Sequence, residues 1–214
     1  MRTMLRTLLG LSLVALLAGP AAAQGQGRGF GRFGGLAALL GNASVQKELK
    51  LDDKQVDKAK ELAEKTGEEM REKFQDLQNL EGQERFTKMA EITREVNAST
   101  LKAAGEFLKP EQIDRLKQIA NQVRGAQSFA DAEVAKKLNL TDSQKSDIQE
   151  AVRSSREKMP IREDFQSDRE AAMKKMAEVN KETLAQVEAK LNDEQRKTWK
   201  EMLGAPFEIK YEQN

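Results

Sequence analysis

The chain has 214 residues, with 36 Lys plus Arg against 35 Asp plus Glu, and it contains neither Cys nor His. Lack of His removes the commonest acid–base catalyst near neutral pH and the commonest transition-metal ligand; lack of Cys removes disulfides and thiol chemistry. A third of the residues are charged (33%) with the two signs interleaved, and only 5% are aromatic, which argues against the concentrated basic face of a nucleic-acid binder and suits long exposed helices better than a thick globular core.

Arg2 and Arg6 precede an apolar stretch from Leu8 to Ala18, then Gly19, Pro20 and Ala21-Ala22-Ala23. This pattern predicts a secretory signal peptide over residues 1–23, cleaved after Ala23, and hence an exported protein. The stretch is shorter than the roughly 20 residues of a membrane span, and no later segment approaches that length, so no stable membrane insertion is expected. Removing Arg2 and Arg6 leaves 34 basic residues against 35 acidic ones. Residues 24–41 are rich in Gly, Arg and Phe and read as a flexible arm, because glycine disfavours a helix before Leu36. Arg28, Phe30, Arg32 and Phe33 on this arm are candidate contacts for a captured protein.

From Asn42 onward the periodicity is helical. A short helix is expected over about 44–50. A long one follows from Asp53 toward Asn79, with Val56, Ala59, Leu62, Ala63, Met70, Phe74 and Leu77 mostly at steps of three and four. Another runs over about 83–108 with Phe86, Met89, Ile92 and Val96 on one stripe. A shorter helix carries Ile113, Leu116 and Ile119 up to Gly125. Pro160 should stop the helix that begins near Asp142. A helix resumes from Phe165 through Val187, and a last one carries Trp199 and ends near Gly204. The tail 205–214 alternates apolar and polar residues, which predicts an extended segment packed along a helix.

Four copies of a Leu-x-x-x-Gln frame punctuate these helices: Leu51 to Gln55, Leu108 to Gln112, Leu140 to Gln144 and Leu191 to Gln195. Asp52, Thr141 and Asn192 are good N-cap residues, and a Gln three positions later can reach back to the cap N–H to close a capping box. Lys109 is a poor cap, but Pro110 suits the first helical position. These are helix starts and supply no reactive group. Residues 45–65 match 134–154 at seven of 21 positions, and residues 96–112 match 179–195 at seven of 17. The offsets are 89 and 83, so the second copy lacks six residues. We infer a tandem duplication, with helical repeats over 44–125 and 126–204.

No nucleophile is paired with a base, and no phosphate-binding loop or Glu-x-x-His pair occurs. The carboxylates mostly alternate with Lys and Arg at helical spacings, as on a solvated face. The reading is therefore a non-enzyme without cofactor or metal, whose active feature is an amphipathic surface. Met70, Phe74, Phe86 and Met89 suit either a shared core or such a binding face.

The helix-start motif in this setting resembles the LTXXQ-motif family of periplasmic proteins (Spy/CpxP-like). Leu140-Thr141-Asp142-Ser143-Gln144 matches the motif fully, and the other three copies keep Leu and Gln. The resemblance spans residues 44–204. It implies a periplasmic, all-α protein of long amphipathic antiparallel helices in a thin cradle, either an ATP-independent chaperone for unfolded or partly folded proteins or an accessory that binds the sensor domain of an envelope-stress kinase. A related branch binds zinc through His, which this chain lacks. Family members carry two motifs and dimerise. Four motifs here imply both cradle halves in one chain, related by a pseudo-twofold, and thus a monomer. A purely structural helical envelope protein is the remaining alternative.

Overall fold

The computed structural model describes residues 35–210, except for the side chains of Gln83 and Phe86. Residues 1–34, which include the expected signal peptide and Arg28, Phe30, Arg32 and Phe33, lie outside the described residues, as do 211–214. The described chain is all-α: α1 Gly35–Leu40, α2 Ala43–Glu48, α3 Asp53–Gln75, α4 Gly82–Ala104, α5 Pro110–Arg124, α6 Ala132–Lys137, α7 Asp142–Lys158, α8 Arg162–Ser167, α9 Arg169–Glu188 and α10 Asp193–Leu203. Short 3₁₀ turns cover Asp76–Asn79 and Gly125–Ala130.

The first half is built on the α3–α4 hairpin. α1 lies across α3, α4 and α5. Six residues are too few for a helix to hold itself together in water; α1 persists because Leu36, Ala37, Leu39 and Leu40 are buried and because Asn97 on α4 accepts the Leu36 N–H at 3.1 Å. Gly35 sits at φ +55°, and a Cβ there would lie 2.3 Å from Asn97 Oδ1. The expected arm over 24–41 is corrected in this part: residues 35–40 are core, since their apolar side chains gain more from burial than the preceding glycines cost. Leu40, Val45, Ala59, Ala104, Leu116 and Ile119 form the centre of this first cluster.

The second half is built on α7 packed against α9, with α8 folded onto α9. α7 stops at Lys158, ahead of Pro160. The single helix expected through Phe165 and Val187 is broken at Asp168 (φ −147°, ψ 92°), whose carboxylate accepts the Ala171 N–H at 2.9 Å and starts α9. A short acidic side chain at this point favours the cap over the helix interior. The second cluster gathers Phe129, Val134, Leu138, Leu140, Ile148, Val187, Leu191 and Trp199, with the Phe129 and Trp199 rings 4.4 Å apart.

The halves meet where α5 packs on α10. Asn121 Nδ2 donates to Met202 O at 3.2 Å, and Lys117 Nζ reaches Glu133 on α6 at 2.9 Å. After Gly204, at φ +63°, the chain turns back to the first half. Phe207 and Ile209 pack against the first cluster, and Lys210 reaches the start of α2.

Candidate functional site

The four motif glutamines come together in two pairs. In the first, Gln55 Nε2 donates to Gln112 Oε1 at 2.9 Å, and Gln112 Nε2 donates back to Gln55 Oε1 at 3.2 Å. Gln55 also donates to Phe107 O (2.8 Å) and Gln112 to Leu49 O (3.1 Å). Each side-chain oxygen takes a second donor, the N–H of Asp52 or of Lys109. Both amides thus use their two donors and both lone pairs, which is the full capacity of the group. The second pair repeats this wiring: Gln144 to Gln195 at 2.8 Å and back at 3.0 Å, with Lys190 O, Leu138 O and the N–H groups of Thr141 and Asn192 as the outer partners.

Local backbone geometry aims those carbonyls. α2 and α6 end with Lys50 and Asn139 at φ +51° and +48°. The next N–H groups, of Leu51 and Leu140, return to Gln46 O and Ala135 O. This left-handed helix ending leaves the Leu49 and Leu138 carbonyls for the distant glutamine. Asp52, Thr141 and Asn192 each accept the N–H of the Gln three residues on, so these three starts are complete capping boxes. Lys109 has no acceptor atom; there only the Gln112 half of the box exists, behind Pro110. Leu108, Leu140 and Leu191 are buried and Leu51 is half-buried.

Of the candidate contact residues, Met70 is buried with Leu77, Ile92 and Val96 in a small cluster at the far end of the α3–α4 hairpin. It is core there and not a surface contact, because two helices can seal only one stripe between them. Phe74, Leu80 and Met89 flank this cluster, half-buried. Met89 and Leu80 border an open groove completed by Glu81, Gly82 and Arg85. Phe86 belongs to α4, but its side chain lies outside the described residues. In the second half Ile161 is 62% exposed and Met173 47%.

The tail lies extended along a helix over residues 205–210, as expected, but the groove that holds it, on the first half between α5 and the start of α2, was not foreseen from the sequence. Gln122 Nε2 donates to Ala205 O (2.8 Å) and Gln122 Oε1 accepts the Phe207 N–H (2.9 Å). Arg115, held by Glu48 at 2.7 Å, donates to Ala205 O at 2.9 Å. Ser44 Oγ accepts the Lys210 N–H at 3.0 Å, and Asn42 Nδ2 donates to Lys210 O at 3.0 Å. The alternation of apolar residues in the tail was the one available clue.

Among the described residues, two carboxylates are held below their ordinary values. Glu133 is lowered by its hydrogen bond from Lys117, against the opposing effect of partial burial, with help from the charges of Lys117 and Lys137. Asp142 is lowered by Lys145. Among the described residues no three His, Cys, Asp or Glu side chains are placed to hold a metal ion, and no helix is long and apolar enough to cross a membrane. Comparison with protein-family models, with curated proteins and with solved structures finds no match.

Proposed function

We propose that the chain is an exported, periplasmic, ATP-independent chaperone-like protein that binds unfolded or partly folded proteins on the surface of its helical hairpins, with no catalytic step. In this reading the two halves are tandem repeats forming the two arms of one cradle. The carrying observation is the set of apolar side chains left partly open on an otherwise charged surface: Leu80 and Met89 at the groove at the α3–α4 end, Phe74 beside the adjoining cluster, and Ile161 and Met173 on the second half. Separate apolar groups set among charges suit weak contact with many apolar segments better than one shape-matched partner. Interleaved charges speed capture and make it salt-sensitive. Release then follows when the client buries its own apolar surface.

The test is suppression of aggregation of an unrelated unfolding protein by residues 24–214, without ATP, at low and moderate salt. Suppression near a one-to-one ratio, weakened by salt, is expected. Failure with several clients would sink the proposal and leave a dedicated partner, such as a kinase sensor domain, as the better account.

A further inference from the structure

The tail groove offers a more specific surface than the hairpin ends. The hydrogen bonds that hold residues 205–210 in it run to the tail's main chain: Ala205 O from Gln122 and Arg115, the Phe207 N–H to Gln122, and the Lys210 N–H and C=O with Ser44 and Asn42. Main-chain bonds do not depend on the identity of the bound side chains. Selection comes from Phe207 and Ile209, two residues apart, which turn toward the Leu- and Ile-lined first cluster while Glu208 and Lys210 face solvent. Alternate residues of an extended strand point to one side, so the groove reads one apolar residue in every two. Both anchors are only half-buried, and the segment leaves α10 after Gly204.

We propose that this groove is a binding site for extended polypeptide segments with an aromatic-x-aliphatic pattern, and that residues 205–210 are its tethered occupant, which an incoming client segment displaces. The inference rests on the client-binding reading and names the segment chemistry the site accepts. Tethering gives the tail a high effective concentration, so the full chain is partly self-blocked.

Two experiments decide it. A fluorescent peptide of residues 205–214 is titrated into a chain ending at Gly204 and into the full chain, with anisotropy as the readout. Saturable binding to the shortened chain is expected, at least tenfold weaker binding to the full chain, and none by a peptide carrying Phe207→Ser and Ile209→Ser. Folding of the shortened chain is checked by its helical circular dichroism, because Trp199 lies in the other cluster and does not report on the groove. Should that chain fail to fold, a full-length S44C/K210C variant decides alone: the chain has no other Cys, so oxidation pins the tail in the groove. The oxidised form should suppress aggregation less than the reduced form, and reductant should restore it. Equal suppression in both forms, or no peptide binding by a folded shortened chain, overturns the proposal. If the full chain suppresses aggregation while these tests fail, the chaperone reading stands without the groove. If the peptide binds but no form suppresses aggregation, the groove stands and the chaperone reading falls.

Discussion

Gln55 and Gln112 lie 57 positions apart and hydrogen-bond each other in both directions, at 2.9 and 3.2 Å. Their pairing ties the start of α3 to the start of α5 through groups that are each only 7–8% exposed. Gln112→Ala removes the donor to Leu49 O and leaves the Gln55 amide short of a partner. A buried polar group without a partner costs about 1–3 kcal/mol. We expect Q112A to lose stability in that range by urea denaturation. Q144A, whose side chain is half-exposed, should lose less because water can replace the missing bonds.

Lys50 and Asn139 occupy the same left-handed helix ending. A long side chain is strained there, whereas Asn tolerates the conformation. Lys50→Gly should raise stability by about 0.5–1 kcal/mol, since relief of strain exceeds the added freedom of the unfolded chain. Asn139→Gly should change it little. Denaturation midpoints measured side by side check the ranking; an equal gain at both positions contradicts it.

Leu116 is fully buried in the first cluster, and Trp199, the one tryptophan, is 1% exposed in the second. Leu116→Ala should cost about 2–5 kcal/mol. The α5–α10 contact and the returning tail join the clusters. In the full chain, therefore, the Trp199 fluorescence transition and the helical circular-dichroism transition should coincide, as a two-state unit requires. Ending the chain at Ala205 should separate them, with the helical signal beginning to fall first.

The ion pair between Lys117 and Glu133 bridges the halves at 2.9 Å. The Glu133 carboxyl is lowered from 4.5, chiefly by the Lys117 hydrogen bond. Its folded pKa lies below the unfolded one, so its stabilisation is complete above about 4.5 and disappears as pH falls through the folded value. The carboxylate side is 49% exposed, so solvent screening holds the contribution to a few tenths of a kcal/mol. Glu133→Gln should be slightly less stable than the parent at pH 7 and equal to it near pH 2 by thermal melts. A gap that widens on acidification refutes this.

Helix boundaries were legible because their causes are local. Asp52, Thr141 and Asn192 act on an N–H three residues away, and Pro160 and Gly125 stop helices through their own backbones. The pairing of the glutamines was not legible, since capping logic stops at the third residue while the partner lies 57 or 51 positions away. α1 was hidden for a related reason: Gly-Leu-Ala-Ala-Leu-Leu has no helical stability of its own, and Asn97, which holds it, is 61 residues distant. Asp168 misled in the other direction. The apolar spacing runs smoothly across it, and only its competing cap breaks the helix. As for the contact residues, periodicity placed Met70 and Met89 on their stripes but could not say that one is sealed between helices and the other borders an open groove.

Because Lys210 is bonded to Asn42 and Ser44, the described polypeptide nearly closes into a ring, and the order of its halves along the chain is separable from their arrangement in space. A circular permutant that links residue 210 to residue 35 through a short flexible spacer and opens at the exposed Gly82 turn should preserve every inter-helix contact. Such openings are tolerated at exposed turns when the original ends lie near each other. It would also make the latch covalent, turning a noncovalent closure that thermal motion can open into a fixed part of the backbone.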